Sequence, residues 1–131
     1  MKYVSIDIET TGFDCEQNQI LSIGAVIEDT KLKLSWDEIP KFNAIILHRQ
    51  INGLPRSISI NKEIIELLGE YIEGNDETRE RLDKYSGYNF YKPEDVAQKF
   101  FDFLWVNGFD YEFSGGKARI DGDKIYPPFN I

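Results

Sequence analysis

The hydrophobic pattern changes period once along this chain, and that change limits the folds open to it. Residues 3–9 run Tyr3-Val4-Ser5-Ile6-Asp7-Ile8-Glu9. The alternation puts Val4, Ile6 and Ile8 on one face of a strand and Tyr3, Ser5, Asp7 and Glu9 on the other. Two further β-rich runs follow, Ile20 to Ile27 and Phe42 to Leu47, with polar turns before each. Three strands joined without an intervening helix predict an antiparallel meander. Gly24 and Ala25 inside the second run predict close approach by a neighbouring element. Beyond Asn61 the period lengthens. Ile64, Ile65, Leu67, Leu68, Tyr71 and Ile72 form one helical face, with Asn61 as the expected N-cap and Glu63 in the first turn. Residues 73–92 are polar and tyrosine-rich and read as a short helix and a loop. A second apolar stripe, Val96 to Trp105, is opened by Pro93 and stopped by Gly108. A small hairpin or loop is expected around Gly115-Gly116 and Asp121-Gly122-Asp123, and Ile125 to Ile131 reads as the start of a fourth strand. The order is that of an α/β domain: a three-stranded antiparallel meander, then helices, then an entering strand with no helix behind it to cover it.

At 131 residues the chain suits one domain spanning 1–131. Acids outnumber bases 23 to 15, for a net charge of −8, which excludes a generic basic nucleic-acid coat. A nuclease stays open, because bound divalent ions offset local negative charge. No apolar run approaches membrane-spanning length, and acids at Asp7 and Glu9 argue against a signal peptide, so the expected compartment is the cytoplasm. A single cysteine, Cys15, excludes an internal disulfide framework.

The sharpest chemical feature is Asp7-Ile8-Glu9-Thr10-Thr11-Gly12. Positions i and i+2 on a strand share a face, so two carboxylates stand side by side at a strand end. Like charges this close repel unless a cation lies between them. Mg²⁺ favours carboxylate oxygen, and a pair of such ions steadies both oxygens of a phosphoryl displacement. From pattern alone, two solvated acids beside a turn explain the residues equally well.

The hexapeptide, followed by Ile20-Leu21-Ser22-Ile23-Gly24-Ala25-Val26, resembles the first motif of the DEDD (DnaQ-like) 3′–5′ exonucleases, which have a ribonuclease H-like fold. The resemblance covers residues 3–28. It implies a metal-dependent exonuclease domain that trims DNA or RNA from a single-stranded 3′ end and releases nucleoside monophosphates. It makes Asp7 and Glu9 the catalytic, metal-holding acids for Mg²⁺ or Mn²⁺, and it puts Thr10, Thr11 and Gly12 against the terminal nucleotide.

The family's second motif, an Asp after its fourth strand, and its third, a His or Tyr shortly before a last Asp, do not occur. The only histidine, His48, comes too early and reads as structural. Asp102, Asp110, Asp121 and Asp123 read as solvated acids or turn formers. The resemblance thus implies the amino-terminal part of such a domain, completed by residues after Ile131 or by another polypeptide. The alternative expectation is a non-catalytic remnant of the same fold that binds nucleic acid or protein. A homodimer that closes the open sheet edge is a further expected arrangement. Among weaker signals, Gly115-Gly116-Lys117 lacks the spacing of a phosphate loop. Tyr85, Tyr88, Phe90 and Tyr91 read as loop-covering aromatics rather than base-stacking ones.

Overall fold

The computed structural model describes residues 1–109, 119–121 and 124–126. It is a mixed α/β structure. Strands β1 (Lys2–Thr10), β2 (Ile20–Asp29) and β3 (Lys41–Ile46) form the expected meander. Both pairings are antiparallel, with β1 at the outer edge. Helices α1 (Pro55–Ile60), α2 (Lys62–Glu73) and α3 (Asp76–Tyr85) follow, then a three-residue strand β4 (Asn89–Tyr91). β4 lies parallel to β3, so the sheet order is β1-β2-β3-β4.

This corrects two expectations. The fourth strand of the sheet is Asn89–Tyr91, inside the segment read as a loop, and its parallel pairing with β3 makes the sheet mixed. Three residues are too few to show a period, and it is pairing with β3 that makes them a strand. Ile125 opens no strand of this sheet. It pairs with Ile120 in an antiparallel ladder between β5 (Arg119–Asp121) and β6 (Lys124–Tyr126), the hairpin expected in this region. Asp110, Gly115-Gly116-Lys117, Asp123 and residues 127–131 lie outside the described residues.

The chain divides into two compact units, Met1–Pro93 and Glu94–Ile131. In the first, the register sorts side chains cleanly. Ile23, Ala25 and Ile27 of β2 and Phe42, Ala44 and Ile46 of β3 share one face and are buried. On the opposite face, Ile45 and Phe90 meet Leu68 of α2 and Leu82 of α3. Tyr71 stacks on Phe90 at 4.2 Å between centroids. Arg79 of α3 donates to the carbonyls of Tyr71 and Ile72, satisfying the otherwise orphaned C-terminal carbonyls of α2. Asn75 caps α3 through the N–H of Thr78. In the second unit, α4 (Pro93–Val106) buries Val96, Phe100, Phe101 and Leu104 of the stripe read from the sequence, while Trp105, its last member, is half exposed. No helix among the described residues is long and apolar enough to cross a membrane.

Candidate active site

β1 delivers Asp7 and Glu9 as its alternation requires. Asp7 pairs with Gly24 and Glu9 with Ser22, so both point to the face that carries Ile45 and Phe90 farther across the sheet. Their Cα atoms are about 7 Å apart along the strand, close enough for both carboxylates to reach one ion or a pair. Neither side chain has a hydrogen bond or ion pair among the described residues. The donors are therefore hard, charged and unengaged, which fits Mg²⁺ or Mn²⁺. Among the described residues no group of three or more His, Cys, Asp or Glu side chains converges to hold a metal. Asp7 and Glu9 stand as a pair.

Immediately after Glu9 the β1–β2 register slips, with Glu9 opposite Ser22 and Thr10 opposite Ile20. One extra residue on β2 bends the ladder and re-aims the strand end, as bulges beside functional sites do. The turn beyond is pinned from a distance. Thr11 is 0% exposed. Its hydroxyl donates to the Asn52 carbonyl at 2.7 Å and accepts from the Gln19 N–H at 2.8 Å. Its own N–H donates to the Gln19 carbonyl, and its carbonyl accepts from Leu54 N–H. Thr11 thus spends every polar group on holding the turn, and the structure gives it an anchoring place rather than a surface one. Thr10 is half-buried, and its hydroxyl donates to the Gly12 carbonyl at 2.9 Å. A Cβ on Gly12 would fall 2.3 Å from Asn18 Oδ1, so a side chain there would displace the Asn18 amide from its bond with the Asp14 N–H.

Three residues in this assembly carried no functional signal in the sequence. Gly53 lies so close that an added Cβ would stand 2.3 Å from both the Cβ and the carbonyl oxygen of Thr11. Asn61, expected as a helix cap, makes no side-chain cap bond. Its Nδ2 donates to the Thr10 carbonyl at 3.1 Å and to the Ser57 carbonyl at 2.9 Å. Gln19 reaches the 50–52 loop through both ends of its amide. These contacts span 31 to 51 residues of sequence, so only the folded chain brings them together. His48 lies by the start of β2, with Nε2 2.7 Å from the Ile20 carbonyl, a structural place.

On the face of the acids, toward the start of β1, no helix or strand among the described residues lines the cleft beside the sheet. This cleft, of about 320 Å³, is lined by Ser5, Asp7, Gly24, Lys41 and Asn43, with Trp36 as one wall. Gly24 does not mark close approach of another element, as its sequence context suggested. A Cβ there would find only Asn43 Oδ1 and the Asp7 carbonyl, each at 3.8 Å. Tyr91 stacks near Phe42, Phe90 and Tyr88 belong to the packed cluster, and Tyr85 is exposed under Lys84. The chain matches no family model, and no curated protein and no solved structure matches it.

Proposed function

We propose that this chain carries the first acidic pair of a metal-dependent 3′–5′ exonuclease domain of ribonuclease H-like fold, acting on single-stranded DNA or RNA ends. One observation carries the reading. Two carboxylates share a sheet face beside a bulge, have no side-chain partner among the described residues, and are followed by a turn held through Thr11, Gly53 and Asn61. Asp7 is exposed and Glu9 half-buried, so both are open to an incoming cation, and the frame fixes the strand end beside them. The resemblance of Asp7 to Gly12 to the exonuclease motif supplies the class of reaction.

Asp7 and Glu9 would hold Mg²⁺ or Mn²⁺, and the chemistry such an ion would supply is polarisation of the scissile phosphate and activation of a water. Thr10 and the backbone at Gly12 line the approach of the 3′ nucleotide, while Thr11 keeps that backbone fixed. Further ligands come from outside the described residues or from another polypeptide, since two carboxylates bind such ions weakly.

Digestion of a 3′-labelled single strand with Mn²⁺ tests this. Asp7→Ala and Glu9→Ala should each lower the rate by more than about 100-fold, because even the partners behind metal ligands are worth about 10–100-fold. Activity unchanged in both variants refutes the assignment. A second reading, a non-catalytic remnant that binds nucleic acid or protein, is favoured by the lone pair of acids among the described residues. It predicts strand binding without digestion, unaffected by either substitution.

A further inference from the structure

We infer that the cleft beside Asp7 is a nucleobase subsite, in which a base of the single-stranded substrate stacks on the indole of Trp36. The inference rests on the exonuclease reading for its substrate class, because Asp7 is both one of the paired acids and a wall of the cleft.

Three features fit a planar, hydrogen-bonding ligand. The first is the ring. Trp36 is 63% exposed, an unusual state for the largest apolar side chain. It is nonetheless held in place. Lys41 Nζ lies 4.8 Å from the indole centroid and donates to the Trp36 carbonyl. The turn that carries the ring is closed by Ser35, whose hydroxyl donates to Glu38 Oε1 at 2.7 Å, and by the Glu38 N–H donating to the Ser35 carbonyl at 3.0 Å. An exposed and positioned indole is a stacking platform.

The second feature is the floor. Asp7, Gly24 and Asn43 form one row across three strands, and the missing side chain at Gly24 leaves room between the other two. The third is polarity. Asn43 Nδ2 donates to the Gly87 carbonyl at 3.0 Å, which fixes the amide and leaves Oδ1 facing Gly24 as an acceptor for a base N–H. The Lys41 ammonium adds a positive charge in an acidic protein, where a phosphate oxygen gains from it. The volume, about 320 Å³, is at the lower end of the range of small-ligand sites and suits one nucleoside.

The test uses the full chain and adenosine 5′-monophosphate, with ribose 5-phosphate as the base-free control, by equilibrium dialysis at physiological salt. Trp36 emission is followed in a Trp105→Phe background. The nucleotide should quench Trp36 saturably and ribose 5-phosphate should not. Trp36→Ala should weaken nucleotide binding by at least about fivefold, the lower end of the range for base–aromatic stacking. Gly24→Val should block the cleft and abolish binding, and Gly24→Ala, whose methyl meets nothing nearer than 3.8 Å, should weaken it with the fold intact. Equal binding of ribose 5-phosphate, or binding indifferent to Trp36 and Gly24, overturns the subsite. Glu9→Gln separates the two claims, because Glu9 does not line the cleft. If base binding follows Trp36 and Gly24 while Glu9→Gln leaves metal-dependent digestion untouched, the subsite stands and the exonuclease assignment falls.

Discussion

One face of one sheet is treated in two ways. Around Ile45 of β3 and Phe90 of β4 it is dry, where both pack with Leu68 of α2 and Leu82 of α3. Among the described residues it is open over β1 and across Gly24 and Asn43, next to an exposed Trp36. Glu9, Ser22, Ile45 and Phe90 even form a single row that runs from the open side into the covered one. α2 packs on β2 as well as on β3, and the two acids stand on β1, the edge strand. Packing is concentrated around Ile45 and Phe90, and the proposed metal site lies on the edge strand β1.

Substitutions can break that contrast. The largest stability effect should come from the covered side. Phe90→Ala removes a buried ring stacked on Tyr71 and should cost about 3–5 kcal/mol in denaturant unfolding. Asp7→Ala, on the open side, should change stability by no more than about 0.5 kcal/mol. Equal costs at the two positions would remove the distinction.

The frame between the two sides comes next. Gly53→Ala forces a methyl against the Thr11 backbone and should cost about 1–3 kcal/mol, with faster amide exchange through Thr10–Gly12. Asn61→Ala deletes two bonds from a buried amide and should cost about 1–2 kcal/mol. A neutral result for both would mean that the turn after Glu9 is not held from the 50–61 segment.

Smaller still are the pH responses, which differ in sign between the two sides. Burial pushes the Tyr71 hydroxyl above its ordinary value, the Asp83 carboxylate adds to this, and Arg79 opposes it. Folding therefore favours the neutral phenol. That contribution is complete below about pH 10 and is lost as pH rises through the raised value. Tyr71→Phe should flatten the alkaline limb of a pH–stability curve. On the open side, the Ser35 hydroxyl and N–H hold the exposed Glu38 carboxyl below its ordinary value. Its contribution is present above the ordinary carboxylate range and fades as pH falls through the lowered one. Trp36 emission should shift in that acid range, and Glu38→Gln should abolish the shift.

The comparison also explains what the sequence could reveal. Alternation announced β1 and the shared face of Asp7 and Glu9, and the Val96–Leu104 stripe announced α4, because each is a local period. β4 escaped because three residues have none. α1 escaped because Ser57-Ile58-Ser59-Ile60 reads as strand-like, and only its contacts with the next helix make it helical. Asn61 was placed at the right helix boundary, yet its amide turns to Thr10 rather than to its own helix. Gly24 announced a close neighbour where there is a cleft, since an absent side chain looks the same in sequence whether something fills the space or not. Gly53 and Gln19 gain meaning only through partners far along the chain, and Trp36 through the cleft it shares with Asp7 and Gly24.

The central claim is that Asp7 and Glu9 hold a divalent cation together. Paramagnetic broadening of amide signals by Mn²⁺ tests it most directly. Wild-type protein should lose the signals of Ile6 to Thr10 and of Ser22 and Gly24 first, and Asp7→Asn with Glu9→Gln should keep them at the same Mn²⁺ concentration. Broadening spread evenly over the acidic surface, or identical in the substituted protein, would contradict it.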